Sequence, residues 1–581
     1  MKTTYHYVCA GLVAMAALAS SCSDFLDATP DSRINVDNEE KVKALLTTAY
    51  PQATFVRATE LASDNADDLN GDLNGNYDRF SEQCYRWQPV TESDNENPTM
   101  IWQDYYKAIA SANHALAAME KMGGATTKKL RALKGEALLC RAYAHFVLTN
   151  VFCMNYSKQH SDTDLGVPYI TAPETTLDPK YDRGTVAHDY EMIEKDLLEG
   201  LSLMSDAIYD VPRYHFNSKA AYTFASRFYL FYQQPQKVVE YATKALGANP
   251  EEVMRDYDAM KDMPTDNMQP RAIQYTSSSE RANFLLLPVY STDQYYFSGY
   301  TNMGGRFNNN SYVGKAEQFF ATPWAPDNDA AAQSQQMFKF YWFYSQAKDV
   351  FVLPKTPVYF EEYNSANHTG YYRTIVVALK AEEALLNRAE AYALLGENDK
   401  ALADINVWTK TFVADKVKYN TYKYDDNWNY IYAEQKIDRE LTLASIRKWA
   451  EKYDYYLPER PLPRKHLHPD WVDLPEGSDK ENLIQCILLL RRLEFLHEGM
   501  RWFDIKRYGM KIYRREINTS MNSLTLTDSM SYRDPRQAIQ LPFEVQGAGL
   551  KPNPQPSATE KASFNAWGAR PWEFVFKRND K

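Results

Sequence analysis

The chain of 581 residues contains 44% hydrophobic and 24% charged residues, a composition typical of a globular protein with a large core. Its formal net charge of -11 at pH 7 makes it a poor candidate for binding nucleic acid or anionic membrane surfaces, which require clusters of Lys and Arg. Aromatic residues reach 14%, including 43 Tyr and 11 Trp, which is more than a core alone explains. Because Tyr and Trp join an apolar face to a polar group, this excess favours a surface that contacts a partly apolar ligand.

The N-terminus has the features of a secretory signal peptide. Lys2 supplies a positive charge, and the apolar run at residues 8–19 is shorter than the roughly 20 residues that span a membrane. Small residues precede Cys22, as in a bacterial lipoprotein signal, although Ala19 stands where a strict lipobox has Leu. We predict that residues 1–21 are removed and that acylated Cys22 tethers the protein to a membrane. The alternative is an ordinary signal peptide with an incidental cysteine.

The cysteines after Cys22 are far apart in the sequence: Cys84, Cys140, Cys153 and Cys486. They have no C-x-x-C or Cys/His zinc spacing, and scattered cysteines in a chain of this size do not make a disulfide framework. We therefore predict isolated, buried thiols.

Amphipathic helical patterns begin at residues 37–54 and resume after a long polar loop predicted at residues 60–77. The helix predicted for residues 102–119 ends before a Gly pair, and Thr127 is placed to cap a second helix that runs to about Phe152. Two long amphipathic helices joined by a short turn form a helical hairpin.

The same pattern recurs twice. Asn217 is placed to cap a helix whose partner begins at Pro235 and ends before Gly247, and a later pair of helices turns at Gly396 before Asn398. Small residues at close-approach positions and a Gly-containing turn are typical of tetratricopeptide repeats. The predicted fold class is all-α, a tetratricopeptide-like scaffold of helical hairpins with long inserted loops rich in aromatic residues. A generic helical bundle is the alternative, because the units are not in strict tandem.

Residues 250–373 interrupt this scaffold with a segment far longer than a connection in a compact domain requires. The segment is rich in aromatic residues and Asn, and its aromatic content argues against disorder. We predict a single domain over residues 22–581, with residues 250–373 as a loop-rich insertion. We expect the ligand on this insertion and on the loop at residues 64–87.

Signatures of catalysis and of metal binding are mostly missing. The sequence contains no G-x-S-x-G elbow and no P-loop, and His497-Glu498 is followed by Arg501 where a zinc-protease helix places its second His. The polar loop at residues 64–75 is not an EF-hand, since Ser81 stands where the bidentate Glu is required, but a looser calcium site stays open. We predict no cofactor and no metal site. A carboxylate pair for glycoside hydrolysis stays open, because its separation in space is not visible in a sequence.

The block R-R-L-E-F-L-H-E-G-M-R-W-F-D-I-K-R-Y-G, residues 491–509, is the most distinctive stretch of the chain. Its residues Arg491, Glu494, Glu498 and Arg501 have helical spacing and are predicted to form a ladder of charge pairs. We interpret the block as structural and not as a ligand site.

Together with this block, several other stretches make the chain resemble the SusD/RagB family of nutrient-binding outer-membrane lipoproteins. They are S-S-C-S-D-F-L-D with Pro30, E-L-A-S-D-N from Glu60, the helix pattern from Trp102 to Leu116, G-E-A-L-L-C-R-A-Y-A-H-F from Gly135, G-V-P-Y from Gly166 and L-N-R-A-E-A-Y from Leu386. The resemblance covers nearly the whole length. The segment L-P-F-E-V-Q-G-A-G-L-K-P-N-P-Q-P near the C-terminus departs from the family pattern.

The resemblance implies a tetratricopeptide-like scaffold on the outer face of the outer membrane, anchored at Cys22 and followed by the acidic residues Asp24 and Asp27. Family members cap a SusC-like TonB-dependent transporter, bind an oligosaccharide without cleaving it and help to deliver it to the barrel. The implied function is that of a non-catalytic, glycan-binding lipoprotein.

The candidate ligand residues depend on composition and loop position, because ligand residues vary widely within the family. Aromatic rings suit the C–H face of a pyranose, and carboxylate, amide and guanidinium groups suit its hydroxyls. The predicted stacking residues are Tyr77, Trp87, Tyr295, Tyr296 and Trp324. The predicted hydroxyl-binding residues are Asp64, Asn65, Asp68 and Arg79. Trp87 fits a core position equally well.

Two other functions are open alternatives. A lipid-anchored helical glycosidase would release reducing ends from its substrate, and a periplasm-facing repeat scaffold that binds a protein or peptide would be inaccessible to protease on intact cells. The absence of a recognisable catalytic set favours glycan binding. Which glycan is bound, or whether the ligand is a peptide or glycoprotein, does not follow from these residues.

Overall fold

The computed structural model describes residues 36–69, 77–92, 96–175, 180–264, 267–297, 305–340, 342–345, 348–457, 462–518, 523–556 and 562–565. The predicted signal peptide and the lipidation site Cys22 lie outside these residues. Within the described part of the chain, no helix combines the length and the apolar character that crossing a bilayer requires.

The N-terminal part of the chain consists mainly of packed helices. In chain order its elements are α1 (Glu39–Leu46), α2 (Val56–Ala62), β1 (Asp67–Asp68), α3 (Arg79–Tyr85), α4 (Pro98–Lys121), α5 (Lys128–Phe152), α6 (Val186–Leu203), α7 (Ser218–Phe231) and α8 (Pro235–Leu246). Thr127 caps α5 by accepting a hydrogen bond from the Leu130 amide (3.0 Å), which confirms the predicted hairpin of α4 and α5. Helix α6, which the sequence analysis missed, packs closely on α5, since a Cβ at Gly135 would lie 3.0 Å from the carbonyl oxygen of Gly200.

The second predicted hairpin, α7 with α8, is also confirmed. The side chain of Asn217 accepts a hydrogen bond from the Ala220 amide (3.1 Å) at the start of α7. Helix α8 begins at Pro235 and ends at Leu246, and the next residue, Gly247, has a φ of 76° that few other residues adopt without strain. Both ends are set by local chemistry, which is why the sequence predicts them well.

Two predicted boundaries near the N-terminus are wrong. The helix predicted for residues 37–54 ends at Leu46 and continues only as the 3₁₀ turn Thr47–Ala49, because Pro51 requires an extended residue before it. The polar loop predicted for residues 60–77 begins inside α2, all of whose residues are buried.

The described part of residues 250–373, predicted as a loop-rich insertion, forms short helices and small sheets, and the last strand continues to Lys380. Their elements are α9 (Gln269–Tyr275), β2 (Asn283–Tyr290), α10 (Asp293–Phe297), β3 (Phe307–Asn308), α11 (Ser311–Val313) continuing as the π-helix Gly314–Phe319, α12 (Asp329–Ala332), β4 (Phe343–Ser345), β5 (Val350–Val352), β6 (Tyr359–Asn364) and β7 (Thr369–Lys380). Strand β7 pairs antiparallel with β2 on one side and with β6 on the other. The predicted all-α class is therefore too narrow.

The remaining chain returns to helices. Its elements are α13 (Ala381–Leu395), α14 (Asn398–Phe412), β8 (Lys416–Tyr424), β9 (Tyr430–Lys436), α15 (Leu443–Lys452), α16 (Asp479–Glu494), α17 (Arg501–Tyr508), β10 (Ile512–Asn518), β11 (Ser523–Met530), α18 (Phe543–Gly547) and β12 (Ala562–Asn565). Gly396, in the left-handed conformation, ends α13 and confirms the third predicted hairpin. Strands from both ends of the chain join one sheet in the order β12-β11-β10-β1-β3.

One hydrophobic core connects the helical scaffold with the region of small sheets. It extends from Val42 to Leu541 and includes Phe284 of β2 and Leu379 of β7. The predicted burial of the thiols is confirmed for Cys84, Cys140, Cys153 and Cys486. The segment at residues 250–373 is thus packed against the scaffold through shared apolar contacts.

The predicted charge ladder within residues 491–509 does not form, because α16 ends at Glu494. The side chains pair with other elements instead. The ion pairs are Arg491 with Asp504 (2.9 Å), Glu494 and Glu498 with Lys380 (2.8 and 2.6 Å) and Arg501 with Asp64 (2.8 Å).

Candidate functional site

Asp64, a predicted hydroxyl-binding residue, lies in the interior. Its carboxylate accepts hydrogen bonds from Nε and Nη2 of Arg501 (2.8 and 2.9 Å), and Arg492 and Lys465 each lie 3.5 Å away. Burial by itself would raise the pKa of Asp64, but the charges of Arg492, Arg501 and Lys465 outweigh burial and hold that pKa well below its usual value. The carboxylate is occupied by internal partners and does not face solvent.

Asn65 and Asp68 are buried beside it. The side chain of Asn65 donates to Glu60 (3.0 Å) and accepts from Arg492 (2.8 Å). Asp68 accepts hydrogen bonds from Arg86 (3.0 Å) and Arg306 (2.8 Å). The polar atoms of both side chains are used in hydrogen bonds within the protein. Neither residue therefore lies on a surface that faces a ligand.

Two of the predicted stacking residues also belong to the interior. Trp87 donates its indole N–H to the carbonyl oxygen of Ala62 (2.8 Å), and the guanidinium of Arg514 lies 4.0 Å from its ring centre. Trp324 is 3% exposed and packs against Trp408, with 6.1 Å between ring centres. The core alternative for Trp87 is therefore the correct one, because its polar end already has an internal acceptor.

The other predicted residues lie at the surface or close to it. Tyr77 is 53% exposed, and its hydroxyl donates to Glu82 (2.7 Å) on α3. Arg79 begins α3 and forms an exposed ion pair with Glu92 (3.3 Å). The side chains of Tyr295 and Tyr296, on α10, are partly exposed.

Arg57, which the sequence analysis did not select, connects these surface elements. Its guanidinium lies 4.0 Å from the ring centre of Tyr296 and pairs with Asp78 (3.2 Å), the residue that caps α3. The Tyr296 ring also covers Gly305, where an added Cβ would come within 2.3 Å of a ring carbon. Because the Tyr296 hydroxyl accepts a hydrogen bond from Ser81 (3.2 Å) on α3, the structure brings Tyr77, Arg79 and Tyr296 to one region.

A projecting hairpin continues this region. Strands β6 and β7 carry five large aromatic side chains that are at least 38% exposed: Tyr359, Phe360, Tyr363, Tyr371 and Tyr372. We call this hairpin, together with Tyr290 and Tyr295, the aromatic ribbon. Successive side chains of a strand point to opposite faces, so the ribbon presents rings on both of its faces.

Ring contacts organise each face of the aromatic ribbon. On one face, Tyr372 contacts both Tyr295 and Phe360, with 5.2 Å between the ring centres of each pair. On the other face, Tyr371 contacts Tyr290 (5.5 Å) and Tyr363 (5.1 Å). Tyr295, a residue predicted from sequence, is thereby part of a continuous row of rings.

Polar groups surround these rings. The guanidinium of Arg373 lies 3.9 Å from the ring centre of Tyr290 and forms an ion pair with Glu361. Glu362 pairs with His368 (2.8 Å) near the turn of the hairpin. The ribbon can therefore stack on the apolar faces of a ring-shaped ligand while its edges donate to, and accept from, hydroxyl groups.

A second exposed hairpin, β8 with β9, is equally aromatic. Trp428 is 82% exposed and Tyr422 is 73% exposed, and the loop between the strands is held by Asp425, which accepts hydrogen bonds from the amides of Asn427 (2.9 Å) and Asn429 (2.8 Å). Both hairpins were missed, although aromatic runs on either side of a polar turn are a sequence signal for such a hairpin.

Across the described residues, no group of three or more His, Cys, Asp or Glu side chains has an arrangement that could hold a metal ion. The open question of a calcium site concerns residues 64–75, of which Asn70, Asp72 and Asn74 lie outside the described part of the chain.

Two family models match the chain. The model described as "Starch-binding associating with outer membrane" matches residues 24–230, and the model of the SusD family matches residues 295–545. No curated protein matches the sequence.

Several solved structures have a similar fold. A SusD superfamily protein from Bacteroides thetaiotaomicron is 18% identical with a TM-score of 0.55, and the match covers 89% of this chain and 100% of that one. A SusD-like carbohydrate-binding protein from Bacteroides vulgatus is 15% identical (TM-score 0.54; 88% and 96% covered). A second protein from that species, named as sugar-binding, is 18% identical (TM-score 0.56; 90% and 99% covered). At these identities the likeness establishes a shared fold.

Proposed function

Since the chain belongs to the SusD/RagB family, we propose that it is a surface-exposed lipoprotein that captures oligosaccharides and passes them to a SusC-like TonB-dependent transporter. In this proposal acylated Cys22 holds the protein on the outer face of the outer membrane. The description of the family model for residues 24–230 as starch-binding and associated with the outer membrane supports both the ligand class and the location.

The observation that carries the proposal is the exposure of the aromatic ribbon. Contiguous exposed apolar surface on a soluble protein usually marks an interaction site. Here the exposed rings are mostly Tyr, which combine a flat apolar face with a hydroxyl group, and they lie beside Arg373, Glu361 and Glu362. A pyranose has the complementary combination of a C–H face and a rim of hydroxyls. The names of two proteins with a similar fold, carbohydrate-binding and sugar-binding, agree with this ligand class.

We propose that the protein binds its ligand without cleaving it. Glycoside hydrolysis requires two carboxyl groups in different protonation states on either side of the bond. Of the two carboxylates of the aromatic ribbon, Glu361 forms an ion pair with Arg373, and Glu362 is in a hydrogen bond with His368 (2.8 Å). Exposed polar groups of this kind suit contacts with hydroxyl groups, and within the described residues the ribbon is an open surface.

A glycan array probed with the mature chain, followed by calorimetric titration of the best oligosaccharide, tests the proposal. Replacing Tyr371 and Tyr372 together by Ala removes a ring from each face of the ribbon. Aromatic contacts of this type contribute about 0.5 to 1.5 kcal/mol each, so we expect the dissociation constant to rise roughly tenfold. Tyr422→Ala, in the other exposed hairpin, is the matched control and should leave that affinity unchanged.

Two results would contradict the proposal. Failure to bind any glycan on the array would remove the ligand class, and a ribbon variant that binds as tightly as the parent protein would remove the site. An increase in reducing ends when the bound oligosaccharide is incubated with the protein would favour the glycosidase alternative instead.

A further inference from the structure

The β8–β9 hairpin carries a second exposed surface, which the proposed function does not use. Residues directly opposite each other on antiparallel strands place their side chains on the same face, and this face recurs at every second residue. One face of the hairpin, which we call the open face, therefore carries the paired residues Lys416 and Lys436, Lys418 and Glu434, Asn420 and Tyr432, and Tyr424 and Tyr430. The three tyrosines of the open face are 48 to 54% exposed, whereas Val417 on the opposite face is fully buried.

Four aromatic rings follow one another along the open face towards the turn of the hairpin. The ring of Tyr424 contacts those of Tyr430 and Trp428, with 4.7 and 5.9 Å between ring centres. Tyr432 lies two residues from Tyr430 on the same face of β9. A strand rises about 3.3 Å per residue, so the open face from Tyr430 to Lys436 is about 20 Å long. Its length and its flat rings suit several linked sugar residues.

The position of Trp428 is not explained by packing within the protein. Its side chain is 82% exposed, and Tyr424 is the only aromatic ring that it contacts among the described residues. Its backbone has a φ of 62°, in the left-handed region that large residues rarely adopt. The turn holds it there, since the Trp428 amide donates to the carbonyl oxygen of Asp425 (3.0 Å). Because strained residues of this kind cluster at functional sites, an exposed Trp in this conformation favours contact with a ligand.

The end of the open face that lies away from the turn is positively charged. It carries three lysines and one carboxylate: Lys416, Lys418, Lys436 and Glu434. Glu434 pairs with Lys416 (3.0 Å), and neither Lys418 nor Lys436 has an ion-pair partner among the described residues. The ammonium group of Lys418 lies 5.1 Å from the ring centre of Tyr432. Unpaired positive charge therefore adjoins the row of rings.

This excess of positive charge is local. The whole chain has a net charge of -11, and the acidic residues of the hairpin turn, Asp425 and Asp426, lie at the other end of the strands. A row of rings beside unpaired lysines is complementary to a sugar chain that carries negative groups. Three lysines against one carboxylate leave an excess of two charges. This small excess fits the single carboxylate of a uronic acid residue better than the denser charge of a sulfated glycan.

We propose that the open face of the β8–β9 hairpin is a second binding site, for an oligosaccharide that contains uronic acids. Its sugar rings stack on the row from Trp428 to Tyr432, and a carboxylate of the ligand pairs with Lys418. The saccharide class rests on the proposed function, but the site shares no residue with the aromatic ribbon. The two hairpins then differ in specificity, because the open face selects for negative charge.

The test uses the mature chain with both Tyr371→Ala and Tyr372→Ala, so that binding at the aromatic ribbon is weakened first. Tetrasaccharides prepared from polygalacturonate, alginate and hyaluronate are titrated into it by calorimetry. Each is compared with the same tetrasaccharide after its carboxyl groups have been reduced to hydroxymethyl groups, so that the two members of a pair differ in charge. At least one acidic tetrasaccharide should bind about fivefold more tightly than its reduced form. High salt should remove this difference, because it screens exposed charges.

Four further substitutions in the same hairpin make the result specific, and all four side chains are exposed, so each variant should fold normally. Trp428→Ala should weaken binding of the acidic tetrasaccharide by roughly three- to tenfold. Lys418→Ala should weaken it by roughly two- to fivefold and leave the reduced form unaffected. Tyr422→Ala is the control for the loss of an exposed ring, since Tyr422 is 73% exposed but outside the row. Lys423→Ala is the control for charge, since Lys423 precedes Tyr424 on β8 and points to the opposite face.

The proposal is overturned if none of the three acidic tetrasaccharides binds more tightly than its reduced form. It is also overturned if Trp428→Ala or Lys418→Ala leaves the affinity unchanged, or if the two control variants lose as much affinity as these do. These outcomes are distinct from a failure of the proposed function, which would appear as unchanged oligosaccharide binding when the ribbon alone is altered.

Discussion

The block at residues 491–509 and the aromatic ribbon contain similar kinds of side chain, but the structure uses them in opposite ways. Arg491, Arg501 and Trp502 are at most 3% exposed, whereas Tyr363 and Tyr371 are more than half exposed. In the block, charged groups are paired with groups on other elements. In the ribbon, each ring contacts a neighbouring ring and also remains partly exposed to solvent. The difference separates residues that specify the fold from residues that are available to a ligand.

The paired charges of the block join distant parts of the chain. Lys380, at the end of β7, lies 2.8 Å from Glu494 and 2.6 Å from Glu498, and the indole N–H of Trp408 donates to Glu494 (2.8 Å). Arg501 reaches Asp64 across 437 positions of sequence. Buried ion pairs of this kind are not a large net source of stability, but removing one partner is costly.

The largest expected effect follows from Asp64, because its carboxylate is the ion-pair partner of the buried Arg501 (2.8 Å), whereas Arg492 and Lys465 lie closer to Glu317. We expect Asp64→Ala to lower the free energy of unfolding by about 3 to 5 kcal/mol, since it leaves buried positive charge uncompensated. Denaturant unfolding measures this loss, and Tyr371→Ala on the exposed ribbon is the control that should change stability little. The opposite result would be a variant that keeps its stability but no longer binds the oligosaccharide. Asp64 would then contact the ligand, as predicted from the sequence, and our assignment of Asp64 to the structural interior would be wrong.

An effect of intermediate size is expected on the pH dependence of stability, through the carboxyl group of Glu498. Burial would raise the pKa of Glu498, but Lys355 and Lys380 outweigh burial and lower that pKa from 4.5 to about 2. A lowered pKa contributes stability above pH 4.5 that is lost as the pH falls towards 2. The shift corresponds to about 3 kcal/mol at neutral pH.

Glu498→Gln removes this titration. Below pH 4.5, the free energy of unfolding of the parent protein should fall more steeply than that of the variant, by up to about 1.4 kcal/mol per pH unit. Denaturant titrations at a series of pH values compare the two slopes. Parallel curves would show that Glu498 is not held ionised by the two lysines.

The sequence predicts the helical hairpins because their signals are local. Thr127, Asn217 and Gly396 act within a few residues of the helix ends that they define. The candidate site is predicted less well, because exposure depends on contacts between distant residues. Nothing near Asp64 in the sequence indicates that Arg501 will cover it. Similarly, Tyr295 becomes part of the aromatic ribbon only when the chain brings Tyr372 to it.

Two predicted tryptophans illustrate the same limit. Composition and loop position alone cannot distinguish a Trp that stacks on a ligand from one that fills the core. Trp87 becomes a core residue because Ala62 and Arg514 approach it, and Trp324 is covered from behind by Trp408. In contrast, the β6–β7 and β8–β9 hairpins themselves could have been anticipated, since aromatic residues lie on both sides of a polar turn in each of them.

The smallest expected effect on stability is that of replacing Arg79. The same variant tests how far the ligand-binding surface extends. The ion pair of Arg79 with Glu92 is exposed, with 59% and 41% of the two side chains accessible, so Arg79→Ala should change the free energy of unfolding by no more than about 0.5 kcal/mol. If the ligand surface extends from the aromatic ribbon across Tyr296 to α3, the same variant should bind the oligosaccharide several-fold more weakly. Arg447→Ala, which breaks an exposed pair with Asp479 (2.8 Å) elsewhere, is the matched control and should bind normally. Calorimetric titration of the three proteins decides the question: equal affinities would confine the ligand to the ribbon, whereas a loss specific to Arg79 would place α3 within the same binding surface.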